Sequence, residues 1–227
     1  MNHPLPKRLV AEAVGTAMLL TAVVGSGIMG ERLAAGNVAI ALLANSLATG
    51  AALVALILTF GPISGAHFNP VVTLGEAWQR SILWREAPAY VFAQIAGAFA
   101  GVAVAHLMFG LPLFFASRHT RNGNLQVFSE FVATFGLLAV IWGCTRFRSS
   151  AVPVAVAVYI TAACWFTAST SFANPAVTLA RSVSDTFAGI RPVDAPAFIM
   201  AQVAGAAAAT ALFRWLIPSV PKGNADE

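Results

Sequence analysis

The sequence predicts an all-α membrane protein: six transmembrane helices plus two re-entrant half-helices, arranged as inverted three-helix repeats. Three observations carry this expectation. Of 227 residues, 58% are hydrophobic and only 10% charged, where ordinary soluble domains carry about 25% charged residues. Six apolar stretches, 9–29, 38–60, 87–109, 126–144, 151–168 and 195–217, each approach the roughly 20 residues that a helix needs to cross the hydrocarbon core. Lastly, the polar-headed segment Asn69-Pro70-Val71-Val72-Thr73-Leu74 returns 105 residues later as Asn174-Pro175-Ala176-Val177-Thr178-Leu179.

The first stretch follows Lys7 and Arg8, as a signal peptide would, but it contains Glu12 and is too long for an h-region. It is expected to be retained as a span. The second is followed by Gly61, Pro62 and Gly65, then by Asn69-Pro70 and a helix-compatible run too short to span. The third begins Ala87-Pro88-Ala89-Tyr90-Val91-Phe92-Ala93-Gln94, which the sixth repeats as Ala195-Pro196-Ala197-Phe198-Ile199-Met200-Ala201-Gln202 at an offset of 108. The fourth sets Glu130 and Leu137-Leu138 beside Glu12 and Leu19-Leu20 of the first. The fifth leads into the second Asn-Pro segment. The chain therefore reads as one domain, 1–227, made of repeats 7–110 and 125–218 joined by a loop, 111–124. Three spans per repeat is an odd number, so the second repeat enters from the opposite side and must be inverted.

Asn is a favoured N-cap and Pro is favoured at the first helical position, so each Asn-Pro starts a short helix. A lone example could simply cap an interfacial helix. Two at symmetric places, at membrane depth, fit half-helices lining a water-filled cavity. Entering from opposite faces, they meet N-terminus to N-terminus, each with free N–H groups and about half a positive charge. Such a meeting point repels cations and interrupts a proton-conducting water file, while Asn69 and Asn174 offer N–H donors to a neutral hydroxylic solute.

The formal net charge of +4 is scattered over short loops, which gives no nucleic-acid footprint. Lys7, Arg8, Arg80, Arg85, Arg146, Arg148, Arg214 and Lys222 fall on the side of the termini, and Arg32, Arg118, Arg121, Arg181 and Arg191 on the other. The positive-inside tendency then places both termini in the cytoplasm, and the cell (inner) membrane is the expected location. Cys144 and Cys164 lie within or at the end of apolar stretches and read as packing residues. His3, His106 and His119 are too dispersed for a metal site. No nucleophile with its base is grouped at one depth, so an enzyme is not expected, nor a cofactor. A secondary transporter also uses inverted repeats and broken helices, but the spans offer no acid except Glu12 and Glu130 as a coupling group.

The residues Ser64-Gly65-Ala66-His67-Phe68-Asn69-Pro70-Val71-Val72-Thr73 and Ala173-Asn174-Pro175-Ala176 closely resemble the aquaporin and glycerol facilitator family, the major intrinsic proteins. The resemblance covers essentially the whole chain. It implies one pore per subunit, assembly as a homotetramer in the lipid bilayer, and passive conduction of water or small neutral solutes. It also implies that Glu12 and Glu130 brace the re-entrant loops, the plainer alternative being helix-end carboxylates. His67 resembles the loop histidine whose carbonyl or ring contacts the pore wall, with simple packing as the competing reading.

Two residues depart from the family pattern. The first motif has Val71 in place of the usual Ala, and Val177 stands where the family normally has the arginine of the outer selectivity filter. By the family's spacing the remaining filter positions fall at Thr49, Ala162 and Ser171. Such a filter is wide, lightly polar and without an aromatic, so a broad solute pore for glycerol, urea or undissociated metalloid acids such as arsenite is expected over a water-selective one. Arg181 lies one helical turn beyond Val177, about 6 Å further out on the same face. Two readings are open: that it stands in partly for the missing charge, or, the preferred expectation, that it extends to the outer interface and binds water or lipid phosphate.

Overall fold

The computed structural model describes residues 3–217; Lys222, counted above among the charges beside the termini, lies outside the described residues. The helices are α1 (Leu5–Leu33), α2 (Val38–Ser64), α3 (Pro70–Trp78), α4 (Ala87–Met108), α5 (Asn124–Phe147), α6 (Val152–Phe166), α7 (Pro175–Arg181) and α8 (Ala195–Leu216). A single 3-10 turn, Ser149–Ala151, leads into α6. No strand occurs among the described residues. Six helices are long and apolar enough to cross a membrane, namely α1, α2, α4, α5, α6 with its preceding turn, and α8. The two short helices α3 and α7 fall at the Asn-Pro segments, as expected.

Local chemistry sets the helix ends. The Asn37 side chain accepts from the N–H groups of Ala39 and Ile40 at 3.0 and 3.2 Å and so caps α2. Gly65 closes the same helix in the left-handed region at φ 92°, its N–H donating to the Gly61 carbonyl. The second half-helix is shorter than the sequence implied. Its continuation is cut at Arg181 because the carbonyls of Ser182 and Val183 accept instead from the N–H groups of Ser117 and Phe115 in the connecting loop.

Packing follows the inverted repeat. Helix α1 lies chiefly against α4 and α2, and α5 against α8 and α6, while α2 meets α6 across the halves. Small residues allow the closest crossings. A Cβ on Gly97 would collide with the Ala13 carbonyl of α1, and one on Gly205, at the matching place of the second half, with the Phe131 carbonyl of α5. The start of α1, end of α2 and start of α4 share one face: Arg8 donates to the Glu86 carboxylate at 2.7 Å, and the Tyr90 hydroxyl to the Ser64 carbonyl at 3.0 Å. The end of α1 meets the end of α4 on the opposite face, where Arg32 donates to the Phe109 carbonyl at 3.1 Å. The chain is thus a multi-pass membrane bundle with a terminal face and an opposite face.

The loop 111–124 is a structural part of the opposite face. Arg118 donates to Asp185 at 2.7 Å through its side chain and 2.8 Å through its backbone. Arg121 is buried, with its Nε on the Gly189 carbonyl and its Nη1 on the Ser169 carbonyl and the Thr170 hydroxyl. The sequence counts Arg121 only among the loop charges opposite the termini. Its guanidinium turns inward because the tight turns around Ser169 and Gly189 leave carbonyls that need a donor.

Candidate pore and filter

Each half-helix is preceded by an extended strip of backbone with left-handed residues at matching places: Gly65, Ala66 and Phe68 in one half, and Thr170, Ser171 and Ala173 in the other. Five of these six are not glycine, so the geometry is strained and must be held by its surroundings. The two glutamates hold it. Glu12 is fully buried and accepts the N–H groups of His67 and Phe68 at 2.9 and 2.7 Å, together with the Ser64 hydroxyl and the Gln94 amide. Glu130, equally buried, accepts the N–H groups of Phe172 and Ala173 at 2.8 and 2.9 Å and the Gln202 amide at 2.6 Å.

Gln94 and Gln202 then reach Thr73 and Thr178 on the half-helices, at 2.8 and 2.9 Å. These two glutamines were not singled out from the sequence as functional. The signal was present, because both belong to the segment that repeats at an offset of 108.

The two half-helices meet through their own caps. The Asn69 side chain accepts from Val71 N–H and donates to the Ala173 carbonyl at 2.8 Å. The Asn174 side chain accepts from Ala176 and Val177 N–H and donates to the Phe68 carbonyl, also at 2.8 Å. Each amide thus ties its helix to the strip before the other, and Pro70 and Pro175 start the helices without leaving an unmet donor.

Beside this junction runs one lumen of about 580 Å³. It extends from Pro62, Glu76, Ser149 and Ser150 at the terminal face to Thr170 and Arg181 at the other. Residues 65–69 and 170–174 form one side of its wall, including both asparagines, and apolar side chains such as Leu53, Val72, Ile141 and Val156 form much of the rest. Val71 and Ala176 are buried behind the tips and do not line it. His67 lines the lumen and is also packed, with its Nδ1 3.1 Å from the Thr73 hydroxyl and its ring on Tyr90. Both readings of this histidine hold together.

Thr49, Ser171 and Val177 all line the lumen and are each less than 8% exposed. Ala162 does not. It is exposed on the outer surface of α6, and the residues of that helix that reach the lumen are Val152, Pro153, Val156, Ile160 and Cys164. This corrects the position obtained by family spacing. The pattern 153, 156, 160, 164 follows the helical period, and α6 runs to Phe166, so its inner face carries Cys164 where Ala162 was expected.

Arg181 is the second correction. It lines the lumen, is only 6% exposed, donates through Nε to the Ala188 carbonyl, and places its guanidinium carbon 3.4 Å from the Phe172 ring centre. It does not extend to the interface because the turn 182–188 folds back over α7 and supplies that carbonyl. Asn45, one turn before Thr49 on α2, also reaches the lumen and is held by the Val23 carbonyl and the Ser26 hydroxyl. It was legible as a polar residue on Thr49's own helix face.

The sequence matches the major intrinsic protein profile over residues 2–150 and 143–226. The chain belongs to the major intrinsic protein family. Among its relatives is the aquaglyceroporin AqpS of Rhizobium meliloti (strain 1021), 57% identical over 213 residues that make up 94% of this chain and 91% of that one. Nodulin-26 of Glycine max is 37% identical over 145 residues, 63% of this chain and 52% of its own length. The X-ray structure of the aquaglyceroporin from Plasmodium falciparum superposes with a TM-score of 0.71, covering 96% of this chain and 97% of that one at 22% identity, which establishes the shared fold. This major intrinsic protein is a passive membrane channel for small neutral solutes and not an enzyme. No group of three or more potential metal ligands occurs among the described residues.

Proposed function

We propose that the channel is of the broad-solute type, passing glycerol, urea and undissociated metalloid acids such as arsenite together with water. One observation carries this reading: Thr49, Cys164, Ser171 and Val177 surround the lumen near the opposite face with no aromatic among them. These four are the proposed filter. A valine in the position of the usual arginine takes the bulky donor away from that level, and Arg181, one turn further along α7, lines the lumen beyond it. The aquaglyceroporin name of the 57% identical relative is consistent with it.

Both asparagine motifs keep an uncharged path. The α3 and α7 N-termini repel cations, and each Asn amide, with one hydrogen committed across the junction, retains another for a passing oxygen. Stopped-flow light scattering on proteoliposomes tests the reading, with glycerol and urea permeabilities expected well above those of empty vesicles. Water permeability alone above that baseline would instead support a water-selective pore.

The same reading includes a homotetramer in the inner membrane with both termini cytoplasmic. With Arg121 and Arg181 buried on the opposite face and Arg8 on the terminal face, the described cations left are Arg32, Arg118 and Arg191 against Lys7, Arg80, Arg85, Arg146, Arg148 and Arg214, which keeps the positive-inside bias toward the terminal face. Native mass spectrometry in detergent reads the subunit number, and accessibility of a cysteine placed at residue 3 reads the orientation.

A further inference from the structure

We infer that the lumen contains an anion subsite, built on Arg181 at the opposite-face end, that binds small planar carboxylates. The subsite deepens the solute-channel reading above, since it takes the lumen as the solute path. Arg181 makes no ion pair among the described residues. Its Nε is used on the Ala188 carbonyl, while Nη1 and Nη2 donate to no described protein atom and are not sealed from the lumen that Arg181 lines. A guanidinium presenting two free parallel donors in a low-dielectric wall matches a carboxylate bidentately.

Charge points to the same ligand. Arg121 sits with its guanidinium carbon 5.0 Å from the Phe172 ring that also carries Arg181, and its own guanidinium meets only carbonyls and a hydroxyl. Asp185 pairs with Arg118, and Asp194 pairs with Arg191 while also accepting the Arg121 backbone N–H at 2.9 Å. Glu76, the one acid among the described residues that line the lumen, stands at the far end. The two buried cations therefore share a single buried carboxylate, Glu130, which already accepts from Phe172, Ala173 and Gln202.

An anion held there occupies the path of neutral solutes and slows them. The test measures urea efflux from proteoliposomes in sodium formate, in formamide as the neutral isostere, and in sodium gluconate for ionic strength. Formate is expected to slow urea about twofold once it matches its dissociation constant, with formamide and gluconate inert. In Arg181→Gln, whatever its basal rate, formate should have no effect, while Arg181→Lys should keep part of it.

Urea flux indifferent to formate, slowed equally by formamide, or still formate-sensitive in Arg181→Gln overturns the subsite. If Arg181→Gln does not assemble, the formate and formamide comparison in the unaltered protein decides. A protein that moves no urea at all refutes the solute reading instead. The subsite is then judged by whether formate, and not formamide, raises the melting temperature of the detergent-solubilised channel.

Discussion

Val177 and Cys164 face the same lumen from different elements, α7 and α6, and in the proposed filter their size sets what can pass. Valine brings no donor and leaves the wall recessed. Val177→Arg would place a second guanidinium one turn from Arg181, filling the recess. Glycerol permeability should fall about tenfold or more, the scale of steric discrimination by a pocket, while water falls only moderately. Unchanged glycerol flux by stopped-flow scattering would show that the narrow point lies elsewhere. Cys164 tests the wall opposite. A small methanethiosulfonate reagent should block solute flux, dithiothreitol should restore it, and Cys164→Ser should be indifferent to both. Cys144 does not line the lumen, so block that survives in Cys164→Ser would contradict the placement of α6.

At the scale of elements, each re-entrant strip is a strained backbone fastened to a buried carboxylate. Removing Glu12 leaves the His67 and Phe68 N–H groups, the Ser64 hydroxyl and the Gln94 amide without their acceptor. Glu12→Ala is expected to destabilise the protein by about 3–5 kcal/mol, the usual result of breaking a buried charged network. Glu130→Ala should act similarly through Phe172, Ala173 and Gln202. Thermal unfolding in detergent checks both, and a melting temperature within error of the unaltered protein would mean that the strips hold themselves. The helix crossings are a separate support. Gly97→Leu or Gly205→Leu forces α4 off α1, or α8 off α5, because the facing atom is a backbone carbonyl that cannot move aside.

In the whole molecule, the loop 111–124 is docked on the opposite face against residues 182–194, and its ionisable groups give that docking a pH dependence. The His119 imidazole is held below its ordinary value by burial, then by the Arg121 and Arg181 cations, against Asp185. Folding therefore opposes its protonation, and the docking contributed here weakens as pH falls below about 6.5 and levels off below the lowered value. Asp185 and Asp194 are shifted down by Arg118 and Arg191, so their contribution persists until pH drops beneath the usual carboxylate range. Protection factors of the 111–124 amides, corrected for the intrinsic pH dependence of exchange, should fall as pH drops from about 7.5 to 5.5, and His119→Gln should flatten the change. Equal protection at both values would remove His119 from the account. Local periodicity and composition suffice to determine the six spans, the two Asn-Pro half-helices and the inversion, because helix length, capping and the parity of spans are set by residues close together in the chain. The braces at Glu12 and Glu130 were legible only through family resemblance, and Gln94 and Gln202 only as matched letters of a repeat. The inward turn of Arg121 and Arg181, and the choice of Cys164 over Ala162 for the wall, were decided by tertiary structure alone. Those choices depend on where α6 ends and on which distant carbonyls stand unpaired, and a buried side chain turns toward whatever partner the assembled fold brings within reach.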